Sequence, residues 1–368
     1  MTNKENELLL RAKNTLFGNI APEAKKFFDE RDMISPSIRH FFGIWNWDSA
    51  FHAIGASYFD GELAKTQIEG FLSLMKQDGM LPDNVRFTGV TEWHSSKPPV
   101  FPYAVLDVYR KTQDSDFLSR TYPLLCLNEN FWRTKRFDGT GFFYSHYEES
   151  TEENNLIYAK WESGWDNSPR WDNGIENLYP IDLNCFMVMF YDSMEKIADI
   201  LALDSKEWTK KKTSLIEFIE NNLWNEKAGA YTDRDRFNGT FSDVLTPASF
   251  MPLYIRSASF DRAKKMAELA ENKDKFDCLM PTVSFDNPAY STDYWRGPMW
   301  LNTAYFAAKG LKNYNFPVAD KIKDNVLSLV YDVGNIRENY DCKNRKGLSC
   351  CDFSWSAVFV IEFLLNFS

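Results

Sequence analysis

A chain of 368 residues with 44% hydrophobic and 26% charged residues has the makeup of an ordinary globular protein with a sizeable core, not of a disordered or fibrous chain. Its 52 acidic against 42 basic residues leave a formal charge of -10 with no basic tract, which speaks against nucleic acid or an anionic membrane as partner. The charged start and the lack of any run near the roughly 20 apolar residues of a membrane span suggest a cytoplasmic protein, and six cysteines with no C-x-x-C spacing are read as reduced thiols.

In chain order, the start from Met1 to Phe17 is charged every few residues, within an N-terminal segment that ends before residue 32. An apolar helix is expected from Asp48 (WDSAFHAIGASYF), followed near 60–76 by an amphipathic one striped by Ala64, Ile68, Phe71, Leu72 and Met75. The same pair recurs from Pro98 (PPVFPYAVLDVY), with an amphipathic partner near 115–136. Another begins at Pro180 (PIDLNCFMVMFY), its partner near 205–223 striped by Trp208, Leu215, Ile219 and Leu223. Apolar helices from Pro247 (PASFMPLY) and Arg296 (RGPMWLNTAYFAA) precede partners near 259–270 and 315–331. A last apolar helix from Asp352 (DFSWSAVFVIEFLL) ends the chain, so its partner must be the N-terminal segment.

A helix that is apolar on every side must be buried on every side, whereas a striped one belongs outside. Six inner helices ringed by six outer ones make an all-α (α/α)6 toroid, and with no linker or composition break the whole of 1–368 is expected to be one domain. Several inner starts place Pro in the first turn, where its missing N–H costs nothing, and Thr246 is suited to cap the helix at Pro247. The longest interval between inner starts, from Pro98 to Pro180, holds the 137–180 insertion, whose alternation over 137–160 allows a short β hairpin. Loop-borne chemistry is expected there.

The loop Trp161–Asp172 reads WESGWDNSPRWD and sets Asp166 beside Trp165, with Arg170 close by. An acid against large apolar rings has a raised pKa and can still hold a proton near neutrality, as a general acid needs. The same Asp-Asn-Ser-Pro run is also strong turn chemistry, in which Asp serves only as a cap. A second acidic segment, Ile336 to Asp341, carries Glu338 and Tyr340 before the last inner helix. Glu338 suits a general base, although an Arg-Glu neighbour pair is also a common surface feature. Two such carboxyls are the minimum machinery of glycoside hydrolysis, held roughly 6.5–9.5 Å apart in inverting enzymes. Other starts of inner helices carry groups that suit sugar binding: Trp45, Trp47 and Asp48; Asp83 and Asn84 in DGMLPDN; Lys97 in SKPP; Tyr294, Trp295 and Arg296 in YWRGP; Trp355 in FSWSA. Individually each could equally cap a helix or seal the core. No His, Asp or Glu cluster has metal-ligand spacing, and no cofactor is called for.

These runs, with WNWDSAFHAIG, ESGWDNSPRW, TPASFMPLY, YWRGPMWLN and the Glu338-Asn339-Tyr340 segment, occur in order from residue 45 to 357. Together they resemble glycoside hydrolase family 63, in particular its short branch of mannosylglycerate and glucosylglycerate hydrolases. The resemblance implies an inverting α-glycosidase with Asp166 as acid and Glu338 as base, acting on mannosyl- or glucosylglycerate or a small α-disaccharide. Where the family often continues after its base with Asp, Pro and a Thr-Gly pair, this chain has Asp341, Cys342, Lys343, Asn344, Arg345, Lys346 and Gly347. Rival readings are a trehalase-like α-glucosidase, a glycoside phosphorylase, a non-catalytic sugar-binding toroid and a sugar 2-epimerase. The last would need paired histidines, and His40, His52, His94 and His146 all lie outside the two acidic segments. The expected partner is a small carbohydrate, and the oligomeric state is not legible.

Overall fold

The computed structural model describes residues 1–367. Helix α1 (Asn3–Gly18) starts at a capping box in which Thr2 and Glu5 satisfy each other's backbone N–H groups. The chain then runs inward and outward in turn. Inner α2 (Asn46–Ala56) is followed by outer α3 (Gly61–Leu72), and inner α4 (Phe101–Thr112) by outer α5 (Ser115–Lys135). An inserted helix, α6 (Glu152–Ser163), precedes inner α7 (Ile181–Ile200) and outer α8 (Lys206–Asn222). A 3-10 turn, Pro247–Phe250, leads into the short inner α9 (Met251–Tyr254) and outer α10 (Phe260–Glu271). Inner α11 (Leu301–Asn313), outer α12 (Val318–Val333) and inner α13 (Ser354–Leu365) complete the chain.

Neighbouring inner helices pack in the order α2, α4, α7, α9, α11, α13 and back to α2, which closes a ring, and α1 packs against α13 as the expected outer partner. The (α/α)6 toroid is therefore the observed fold. Burial follows the sequence logic: every residue of α2 is buried, whereas α8 buries only Trp208, Leu215, Phe218 and Ile219. Phe51 of α2 reaches Phe359 of α13 with ring centroids 5.1 Å apart, and each such fully buried ring contributes about 1.5–3 kcal/mol by leaving water. Helix α1 meets the same seam because Gly55 has no side chain. A β carbon there would stand 2.7 Å from Val358 and 3.0 Å from Leu16.

Two segments differ from the sequence expectation. The hairpin allowed over 137–160 shrinks to one antiparallel bridge, Phe137 with Phe142. Residues 152–163 are helical instead, because Thr151 caps the amide of Asn154, Glu152 and Glu153 complement the first turn, and Gly164 closes the end in a left-handed conformation. The second acidic segment is a strand rather than a loop: Arg337–Asp341 pairs antiparallel with Lys346–Cys351. Its register shifts between Arg337 and Asn339, so Glu338 stands at a bulge, a device that re-aims a side chain.

Candidate active site

The amino-terminal ends of the inner helices converge on one aromatic-walled cavity. Trp45, Trp47, Asp48, Lys97, Asp166, Tyr294, Trp295, Glu338 and Trp355 all line it, so nine of the residues expected at the site meet in one place. Short strand pairings fix the walls. Trp45 pairs with Asn84 across Gly43–Trp45 and Asn84–Arg86, which ties the WNWD and PDN runs together, and the backbones of Met299 and Tyr340 exchange hydrogen bonds of 2.8 and 2.9 Å.

Asp166 follows Gly164 and Trp165. The glycine's left-handed φ of +73° lets the chain turn at the Trp47 ring, where any β carbon would lie 2.3 Å from the indole. Behind the loop, Glu162 is fully buried and accepts two hydrogen bonds from Arg136, 2.7 and 2.8 Å, so it serves as an anchor. Asn167 secures the other side: its Oδ1 accepts from the Trp295 amide at 2.8 Å and its Nδ2 donates to Asp293 at 2.9 Å. Although Asp166 is half-buried, protein closes round its carboxyl, and desolvation, reinforced by Asp83 and Glu338 against the charge of Lys97, pushes its pKa up to about 6.

Glu338 is buried, and burial raises its pKa above the ordinary carboxylate value. Donors from two residues oppose that rise: the Cys350 thiol, the Tyr294 hydroxyl, which donates to Oε1 at 3.0 Å, and the Cys350 amide, which donates to Oε2 at 3.4 Å. Tyr294 is held for this contact with a left-handed φ of 48°, a conformation costing about 1–3 kcal/mol that tends to cluster at functional sites. The pair is thus unequal: Asp166 is met only by its own backbone N–H, whereas Glu338 accepts from Tyr294 and Cys350. Asp48, also buried, is pushed by desolvation to about 7. Lys97 forms an ion pair with Asp83 at 2.9 Å; burial works against its charge, but Asp83 and Asp166 more than offset this and its pKa stays raised.

The remaining expected residues stand behind the wall or away from it. Asp83 holds Lys97, and Asn84 donates to Asp83 at 3.2 Å while its buried Oδ1 has no partner. Trp165 packs on Trp295 with centroids 4.9 Å apart. Arg170 does not reach the cavity, because its buried guanidinium is shared between Asp182 and Asp233 at 2.7–2.9 Å. Arg296 turns to Asp172 at 2.8 Å, and the Tyr340 hydroxyl accepts from the Arg337 amide at 2.9 Å. Sequence reasoning passed over Pro36, Phe41, Trp300 and Phe353, which also line the cavity. Trp300 stacks on Trp295 at 3.9 Å and lay within the quoted YWRGPMW run, whereas Pro36 and Phe41 had no motif to reveal them. The Trp355 ring lines the cavity, and its buried indole N–H has no hydrogen-bond partner. Among the described residues no group of His, Cys, Asp and Glu is disposed to hold a metal, and no helix is long and apolar enough to cross a membrane.

The profile of the mannosylglycerate hydrolase MGH1-like glycoside hydrolase domain matches residues 42–356. The chain belongs to this family. It is accordingly a glycoside hydrolase of the inverting kind, in line with the resemblance to glycoside hydrolase family 63. It is similar to a mannosylglycerate hydrolase of Thermus thermophilus, 28% identical over 86% of this chain and 93% of that protein. The solved family 63 mannosylglycerate hydrolase from Thermus thermophilus, in complex with glucose, superposes with a TM-score of 0.82 over 97% of this chain and 99% of the other at 24% identity, a likeness of fold. A periplasmic trehalase of Salmonella newport is 30% identical over 163 residues, 41% of this chain and 28% of the trehalase.

Proposed function

We propose that this family member hydrolyses a small α-glycoside with inversion, Asp166 acting as general acid and Glu338 as general base, within one catalytic domain spanning 1–368. The observation that carries the reading is the pair of unlike carboxyls on one aromatic cavity. With a pKa of about 6, Asp166 is about half protonated at pH 6, so the acid form is available under mildly acidic conditions. Its proton goes to the glycosidic oxygen as the bond from that oxygen to the anomeric carbon breaks. Glu338 takes a proton from a water that forms the new C–O bond on the opposite face, and exchange with solvent resets both groups. The tryptophan walls suit the apolar faces of a sugar ring, while Asp48 and the free Trp355 N–H suit its hydroxyls.

The finer substrate assignment is an α-glycosyl glycerate, supported by the relatives' activity and by Arg86. That side chain lies over the Trp45 ring at 5.7 Å and has no carboxylate partner among the described residues, whereas Arg39, Lys97 and Arg296 are committed to Asp352, Asp83 and Asp172. A cytoplasmic location belongs to the same proposal and is supported by six free cysteines. The test compares wild type with Asp166→Asn and Glu338→Gln on mannosylglycerate, glucosylglycerate, the matching glycosyl glycerols and trehalose. Each variant is expected to lose at least about 10²-fold in kcat, and early proton NMR is expected to show the β anomer forming first. Wild-type rates in either variant would overturn the assignment, an α anomer would overturn inversion, and better cleavage of trehalose would overturn the glycerate.

A further inference from the structure

The ring has a second concavity, at the end away from the carboxyls. Inner helices differ in length: α9 has four residues after a four-residue 3-10 turn, against 20 in α7 and 13 in α11. Because α9 stops early, its neighbours α7 and α11 enclose with α4 and α8 a cavity of about 360 Å³, compared with about 60 Å³ at the catalytic cavity. The Tyr103 and Tyr254 hydroxyls, 2.8 Å apart, line it together with apolar groups that include Val188, Met189 and Ile216.

Charge in this cavity runs against that of the whole protein. In a chain with a net charge of -10, five cations line it: Arg110, Lys196, Lys212, Arg256 and Lys309. Asp192 is the single carboxylate in the lining, and it is shared by Lys196 at 2.5 Å and Lys212 at 3.2 Å. Arg110 and Arg256 have no ion pair among the described residues, and Arg256 donates only to the amide oxygen of Asn313 at 3.3 Å. Lys309, which donates to the Asn366 carbonyl at 2.8 Å, has its pKa lowered by burial, with Arg256 and Lys312 pushing the same way against Glu362. Complementing a helix dipole accounts for a cation in the last turn of α4, where Arg110 and Lys111 both lie. It does not account for cations from α4, α7, α8, α11 and the end of α9 meeting on one concave surface.

We propose that this cavity is a second binding site, for a small organic anion such as a phosphate monoester or a polycarboxylate, whose anionic group is held by Arg110 and Arg256 while its body lies on the apolar wall. Guanidinium groups match phosphate and carboxylate oxygens in pairs, and neither arginine has to give up an acidic partner to do so. Inorganic phosphate and citrate serve as probes for the two kinds of headgroup, titrated calorimetrically into the whole chain at physiological salt. Saturable binding of one probe is expected, weakened about tenfold or more in Arg110→Ala/Arg256→Ala, as loss of charge-assisted contacts requires. Arg110→Lys/Arg256→Lys, which keeps the charge, is expected to retain most of the affinity, and circular dichroism checks that both variants are folded. The probe that binds identifies the headgroup. Absence of saturable binding by either probe, unchanged affinity in the folded alanine variant, or displacement of the probe by glucose would overturn the proposal.

Discussion

Removing the Tyr294 hydroxyl tests how the proposed base, Glu338, is kept ready. In Tyr294→Phe the ring keeps its edge contacts with Trp300 and Trp295, at 5.2 and 6.3 Å, so the wall stays packed. What is lost is the 3.0 Å hydrogen bond to Glu338 Oε1, leaving those from the Cys350 thiol and amide. A hydrogen bond to a charged group contributes about 1.5–3 kcal/mol, and at about 1.4 kcal/mol per pKa unit its loss raises the Glu338 pKa by about 1–2 units. The base must be ionised to work, so the acidic limb of kcat/KM against pH moves up by that amount. The alkaline limb, set by an acid with a pKa of about 6, limits the profile from the other side. The window in which the base is ionised and the acid protonated therefore narrows, and the peak falls. Initial rates measured from about pH 3.5 to 8 on any cleaved glycoside decide the matter. An acidic limb that stays in place in a folded variant would refute the argument that this hydroxyl stabilises the ionised base.

Two further substitutions probe the scaffold. Gly164→Ala combines a left-handed φ, costing about 1–2 kcal/mol, with a contact of 2.3 Å to Trp47, so it is expected to lower both thermal stability and turnover. An unchanged melting curve would show that the loop can relax. Arg170→Ala leaves Asp182 and Asp233 buried without a counter-charge, and denaturant unfolding is expected to show a loss of about 3–5 kcal/mol. A loss below about 1 kcal/mol, the range of exposed pairs, would show that the two carboxyls find other partners.

The sequence carried the ring clearly because burial on all sides and burial along one stripe leave different periodicities. Helices such as α2 and α8 could be told apart from residue order alone. The site was legible where its residues stand at the beginnings of inner helices. Legibility failed where a partner is distant. Arg170 beside tryptophans suggests a ligand, yet its carboxylates come from Asp182 and Asp233, 12 and 63 residues on. The strand of Glu338 was hidden for the same reason: a bulge depends on the register of Lys346–Cys351, which local propensity does not encode. Helix α6 was missed because EENNLIYAKWES buries only Ala159, Glu162 and Ser163, too few to leave a stripe.

A site built from buried acids also fixes how stability responds to pH. The folded-state pKa of Asp48 is raised to about 7 and that of Asp166 to about 6, so ionising them weakens the fold, and the weakening grows as pH rises from the unfolded value near 3.8 through the folded ones. His52 acts in the opposite sense. Desolvation on burial lowers its pKa to about 3, so its contribution is present above 6.5 and is lost as pH falls below that. Between pH 7.5 and 5 the two acids together gain about 4 kcal/mol and His52 loses about 2, at 1.36 kcal/mol per unit. Burial also raises Glu338 and Glu362, which adds to the gain. The net expectation is a fold about 2 kcal/mol or more stronger at pH 5 than at pH 7.5, measured by urea unfolding at both. Asp48→Asn removes the largest acidic contribution, so it is expected to stabilise the protein at pH 7.5 and to flatten or reverse the trend. A wild-type fold that strengthens steadily from pH 5 to 7.5 would show that these carboxyls are not desolvated in the folded state, and the raised pKa of the proposed acid would fall with them.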